Sequence, residues 1–158
     1  ADGLNWLADQ SEWWTKFRPM SMILTPHPGE MARLTNASGE EIVAEPQKHA
    51  MAAAKLWKQV VLLKGSRAVL TDGASVFIGE SIPPSLASAG TGDVLAGTIG
   101  AFLAQGLSLL DAGCLAIYVG TEAARAVERD YGTLGLIASD LPDAIGRELA
   151  VLERNRAT

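Results

Sequence analysis

Ser88-Ala89-Gly90-Thr91-Gly92-Asp93 stands directly before an uncharged run from Val94 to Ala104. Small residues let a backbone come close to a ligand. The first N–H groups of a helix lack internal partners and the helix dipole is positive at that end, so such a run makes an anion site. Asp93 sets a carboxylate beside the anion. That carboxylate makes sense as a base that deprotonates a hydroxyl attacking phosphorus. An Asp-started helix after a Gly-rich turn is also a common structural device. From the residues alone both readings stand. The run is not a Walker A loop, because no Gly-Lys-Ser/Thr follows the glycines. Nor is it the dinucleotide fingerprint, since Leu95 occupies the place of the third glycine. HExxH and GxSxG patterns are absent, which removes several hydrolase classes.

Two further segments carry polar groups at places where they could act. Lys64-Gly65-Ser66-Arg67 follows the apolar run Val60-Val61-Leu62-Leu63. Polar residues at the carboxyl edge of a sheet can reach a ligand, although a solvent-exposed basic turn looks the same. In Thr25-Pro26-His27-Pro28-Gly29-Glu30, two prolines fix the backbone around one histidine. That predicts a positioned imidazole, or else a rigid loop whose histidine caps a neighbouring element.

These loops need elements to hold them. Gly3 to Asp9 reads as a short helix, and Trp13, Trp14 and Phe17 as core packing. Met22-Ile23-Leu24 is predicted to be a buried strand delivering the His27 loop, with a helical turn or two from Glu30 to Leu34. Pro46 fits the first position of a helix. Ala50, Met51, Ala54 and Trp57 then give that helix one apolar face. Lys48, Lys55, Lys58 and His49 fall outside the stripe and are expected at the surface. Val60–Leu63 is predicted to be a strand covered on both faces. Ala68–Thr71 and Ser75–Ile78 are two more strands, with Asp72-Gly73 as the turn signal between them. Val94–Ala104 is expected to be a helix buried all round, followed by helices from Leu109 to Arg129 and from Leu141 to Glu153. Strands followed by helices packed against them indicate an α/β layered sheet.

The composition of the whole chain is that of a soluble globular protein rather than a disordered one. It has 158 residues, 48% of them hydrophobic and 20% charged, enough for one domain with a core. With a net charge of −5 and no basic patch, nucleic acid binding is set aside. No apolar stretch reaches the ~20 residues of a spanning helix, and no signal peptide is visible. Cys114 is the only cysteine and lies in an apolar run, so it is expected to be a buried thiol. A cytoplasmic protein is expected.

Taken in order, Ala1-Asp2-Gly3-Leu4-Asn5, Thr25-Pro26-His27-Pro28-Gly29-Glu30, Leu63-Lys64-Gly65 and Leu86-Ala87-Ser88-Ala89-Gly90-Thr91-Gly92-Asp93-Val94-Leu95-Ala96-Gly97 resemble the NAD(P)H-hydrate dehydratase branch of the ribokinase-like proteins. Gly135-Leu136 and Ser139-Asp140-Leu141 resemble that family's C-terminal segment. The Gly-Thr-Gly-Asp loop is shared with many kinases of the fold, whereas Thr-Pro-His-Pro-Gly-Glu is narrower and favours the dehydratase. The resemblance implies an α/β ribokinase-like layered sheet with helices on both faces. Residues 1–158 would be the C-terminal portion of one such domain, incomplete at its N-terminus. It implies ATP or ADP, with Mg²⁺, along Lys64, Gly65, Ser66, Arg67 and Ala68 and near Gly92, with no metal ligands assigned to the chain itself. A hydrated NADH or NADPH would contact His27 and Asp93. Asp93 would activate the ring hydroxyl, while Gly90, Thr91 and Gly92 stabilise the transferring phosphoryl group. Two positions depart from the family pattern: Ala68 where threonine is frequent, and Pro83-Pro84-Ser85 in place of Asn-Pro-Gly. A small-molecule kinase of the same fold and a non-catalytic nucleotide-binding module are the rival readings. The opening segment matches the family's middle. The chain is therefore expected as a homo-oligomer or as part of a longer polypeptide, and by itself as a weak binder of nucleotide and a poor catalyst unless a preceding segment is supplied.

Overall fold

The computed structural model describes residues 2–156; Ala1, the first residue of the opening motif, lies outside the described residues. Four strands form one mixed sheet in the order β1-β2-β3-β4. β1 (Ile23–Leu24) runs parallel to β2 (Val60–Leu63), pairing Ile23 with Val60 and Leu24 with Val61. β3 (Ala68–Thr71) and β4 (Val76–Gly79) continue antiparallel. The helices are α1 (Asp2–Ala8), α2 (Pro28–Thr35), α3 (Gly39–Ala44), α4 (Pro46–Trp57), α5 (Thr91–Ala104), α6 (Leu109–Tyr131) and α7 (Leu141–Arg156).

Successive side chains along a strand point to opposite faces, and β2 uses both. Val60 and Leu62, with Ala68 and Leu70, pack against Ile99, Phe102 and the small residues of α6. Val61, Leu63 and Val69 pack on the other face with Leu24, Met31, Ile42, Trp13 and Trp57. All four residues of β2 are buried, as the unbroken apolar run predicts. Helices therefore cover both faces of the sheet.

The entry to β1 is secured by a residue that carries no sequence signal. Gln59 is fully buried. Its Oε1 accepts from the N–H of Ser21 and of Met22, both at 2.9 Å, and its Nε2 donates to the Arg18 carbonyl at 2.8 Å. The side-chain amide thus satisfies backbone groups that would otherwise be orphaned beside the sheet. It fixes the segment that feeds the His27 loop.

Four expectations need correction. The second strand of the hairpin starts at Val76, one residue later than expected, so four residues separate it from Thr71. The Asp72 carboxylate accepts from the N–H of Ala74 and Ser75, which closes the longer loop. α2 starts at Pro28, not Glu30, because His27 caps it. His49 is half-buried rather than on the surface. The uncharged helix α5 is not buried all round: Ile99 and Phe102 are buried, but Ala96, Gly97, Gly100, Ala101 and Ala104 are exposed. Alanine and glycine expose little apolar area, so a face made of them can lie open without polar side chains.

Candidate active site

Two loops meet at the carboxyl ends of the parallel strands. The Lys64 N–H donates to the Pro26 carbonyl at 2.8 Å, so the turn after β2 is tied to the loop after β1. Ligands of open α/β sheets bind at this edge. Beside it lies a cavity of about 640 Å³. His27, Lys64, Gly65, Ser66, Thr91 and Gly92 stand on its polar side. Leu62, Ala68, Ile82, Leu95, Ile117 and Ile145 are among its apolar walls. A mostly apolar cavity with a few convergent polar groups is the usual form of a small-molecule site.

His27 does both things that its loop predicts. As N-cap of α2, its Nδ1 accepts from the N–H of Gly29 at 3.0 Å and of Glu30 at 3.3 Å. Glu30 completes the capping box: its Oε2 accepts the His27 N–H at 2.8 Å. With Nδ1 occupied as an acceptor, the neutral ring carries its proton on Nε2. Nε2 lies 3.6 Å from Glu30 Oε2. Partial burial, with the Lys64 ammonium nearby, holds the imidazole below its ordinary value. Protonating Nδ1 would also evict both amide donors.

A pH dependence follows, with a definite sign. Because the folded value lies below the ordinary 6.5, the unfolded chain binds more protons in the interval between them. This contribution to stability is present above that ordinary value and is lost as the pH falls through the folded one. His27→Asn caps without titrating. Its melting temperature should therefore fall less than that of wild type between about pH 7.5 and about pH 5.5. Equal falls in thermal scans would reject the cap as the titrating element.

Lys64 reaches the same point from β2. Its Nζ is 3.8 Å from Glu30 Oε2, and its side chain is largely buried. Burial lowers the ammonium from its ordinary value, while the Asp93 carboxylate acts in the opposite direction. A Cβ at position 92 would stand 3.1 Å from Lys64 Nζ, so the lysine tip lies close against the N-terminus of α5 at this glycine.

The N-terminus of α5 is built as the sequence suggests. Gly90 takes the N-cap position with φ 86°, a left-handed conformation that favours glycine. The Asp93 N–H donates to the Gly90 carbonyl at 3.0 Å and the Thr91 N–H to the Ser88 carbonyl at 3.4 Å. The Thr91 hydroxyl turns inward, to the carbonyls of Leu86 at 2.6 Å and Ser88 at 2.9 Å. It holds the loop, and Thr91 meets the cavity by its remaining surface. The Asp93 side chain is exposed at the first turn of the helix.

Arg67 is turned elsewhere. Its guanidinium pairs with Glu80 at 2.7 Å, outside the cavity that Lys64, Gly65, Ser66 and Ala68 line. Among the described residues, no three His, Cys, Asp or Glu side chains gather as a metal-ligand set. None of the described helices is long and apolar enough to cross a membrane. Cys114 is half-buried, and burial raises its thiol.

Comparison with known proteins matches residues 1–147 to the family model described as NAD(P)H-hydrate dehydratase. The chain belongs to the NAD(P)H-hydrate dehydratase family. A bifunctional NAD(P)H-hydrate repair enzyme of Salinibacter ruber is 40% identical over 152 residues, covering 95% of this chain and 28% of that protein. An ADP-dependent (S)-NAD(P)H-hydrate dehydratase of Neisseria meningitidis is 33% identical over 147 residues, covering 91% of this chain and 50% of the relative. Among solved structures, the ADP/ATP-dependent NAD(P)H-hydrate dehydratase of Bacillus subtilis, co-crystallised with ATP and Mg²⁺, superposes with a TM-score of 0.76 at 29% identity. That match covers 79% of this chain and 46% of the other. A ribokinase-like protein of Enterococcus faecalis superposes with a TM-score of 0.67 at 25% identity, covering 93% of this chain and 51% of that one. The chain thus spans about half or less of the length of these relatives.

Within this family member the two departures have local accounts. Ala68 is buried in β3 and lines the cavity, where it offers no hydroxyl. Pro83 and Pro84 lead a short 3₁₀ turn, Pro84–Ala87, on the cavity wall, and the buried Ser85 Oγ finds no protein partner there. Glu30 is the residue that sequence reasoning passed over. It stands in the quoted motif, and only its three-residue spacing from His27 signals a capping partner.

Proposed function

We propose that the chain carries out the phosphoryl-transfer half of NAD(P)H-hydrate repair: ATP- or ADP-dependent dehydration of hydrated NADH or NADPH. The observation that carries this reading is the meeting of His27, Lys64 and Glu30 beside the N-terminus of α5 that bears Asp93. A narrow His loop and a phosphate-type helix terminus then address one space.

The residues fit a nucleotide. The α5 N-terminus favours a phosphate through its dipole. Lys64 adds a half-buried ammonium, and the apolar wall suits a base or sugar. Mg²⁺ would arrive on the phosphates, which supply its oxygens, and would neutralise part of their charge. Asp93 takes the proton of the ring hydroxyl as its oxygen bonds to the terminal phosphorus and the nucleoside phosphate leaves. The C–O bond of the resulting ester then breaks, a proton leaves the adjacent ring carbon, and inorganic phosphate departs. The dihydronicotinamide ring is restored without net redox change. His27 offers Nε2–H to the hydrated dinucleotide.

Hydrated NADH given with ATP or ADP should regain NADH absorbance and release phosphate. A stable phosphorylated product instead would mark a small-molecule kinase, and no turnover would mark a binding module. We keep the cytoplasm as the site of the reaction, and a homo-oligomer or a longer polypeptide as the working form. His27→Ala should weaken binding of the hydrated dinucleotide more than that of ATP, measured by calorimetry with each ligand alone. Equal losses, or a loss for ATP only, would reverse the assignment of the two loops.

A further inference from the structure

We propose that Glu30 is a positioning residue, one carboxylate oxygen of which holds the substrate-side imidazole of His27 and the nucleotide-side ammonium of Lys64 in a single arrangement. This rests on the reading above and deepens it. Glu30 is 4% exposed in the first turn of α2. A carboxylate so placed is costly unless partners surround it. Its Oε2 accepts the His27 N–H at 2.8 Å, lies 3.6 Å from His27 Nε2, and lies 3.8 Å from Lys64 Nζ. The first two contacts belong to the entry of α2, and the third belongs to the end of β2.

The capping box alone does not require a charge at this position, because glutamine caps as glutamate does. The approach of the Lys64 ammonium does benefit from one. Glu30→Gln therefore separates the two roles. Among the described residues, the other charged groups acting on this pair are Asp93 from α5, which acts on Lys64, and Arg33 from α2, which acts on His27. Neither Asp93 nor Arg33 changes in the substitution.

The test follows the Lys64 ε-methylene by NMR in the ligand-free chain as pH is raised. In Glu30→Gln the Lys64 midpoint should fall by about one to three pH units, the usual effect of removing an opposite charge within ~4–6 Å. The His27 amide should stay hydrogen-bonded. An unchanged midpoint in the folded variant overturns the proposal. Should the variant not fold, wild type decides: the Glu30 carboxyl carbon should register the deprotonation of Lys64, and a carbon silent at that step overturns it. ATP calorimetry adds a functional readout. Between about pH 7 and about pH 9 the affinity of Glu30→Gln should drop about tenfold more than that of wild type; parallel pH dependences overturn the role. If wild type binds no ATP at all, the nucleotide assignment fails by itself, while the ligand-free titration still judges Glu30.

Discussion

Asp93→Asn should lower turnover of the hydrated dinucleotide by about 10²–10⁴-fold, the usual worth of a general base. The amide keeps the size of the side chain and cannot accept the hydroxyl proton. The fold should survive, because the Asp93 side chain is exposed and the backbone bonds that build the α5 terminus run through Gly90, Thr91 and the Asp93 N–H. ATP binding should survive as well, since the helix terminus and Lys64 stay in place. The decisive comparison sets the rate of NADH recovery against ATP affinity by calorimetry in the same preparation. Turnover within a few-fold of wild type would remove Asp93 from the chemistry. Loss of ATP binding in step with turnover would make it a ligand-binding group instead.

Trp57→Ala is the substitution expected to damage stability most. Trp57 ends α4 at 1% exposure, and its ring lies 5.2 Å from that of Trp13. Truncating a buried tryptophan removes transfer energy and leaves a cavity, typically about 3–5 kcal/mol. For a domain of this size each kcal/mol moves the melting temperature by about 2–4 °C, so a fall of roughly 6–20 °C is expected. Circular dichroism on heating measures it. Trp57→Phe should restore a good part of the loss by refilling the space. A fall of less than about 2 °C for the alanine variant would mean that the second core does not depend on this ring.

The sequence discloses this molecule unevenly, for physical reasons. Val60–Leu63 is legible because four apolar residues in a row can only be a segment without a solvent face. Pro46 marks its helix because proline is tolerated in the first turn and hardly anywhere further in. The Gly90–Asp93 terminus is legible because phosphate-type sites use backbone groups, and those need small residues in a row. Position 57 shows itself through helical spacing, whereas its tilted ring contact with Trp13 depends on a segment far away in the chain. Gln59 and Glu30 are read poorly for one shared reason: both are buried polar side chains whose meaning lies in their partners. Spacing hints at one partner of Glu30, and nothing local hints at Arg18, Ser21 and Met22 for Gln59. The open face of α5 is missed because hydropathy counts charge and cannot tell an enclosed alanine from a bare one. Arg67 sits in a run that looks uniformly basic, and only the third dimension sends it to Glu80 while Lys64 turns inward.

β2 has no side on which it can yield. A strand with water along one face can bow when its core is repacked; Val60–Leu63 is gripped from above and below, and Lys64 sits at its tip. It behaves as a lever arm clamped between two jaws, one made of α5, α6 and α7, the other of α2, α3 and α4. Both layers of packing thereby bear on the strand whose end carries Lys64.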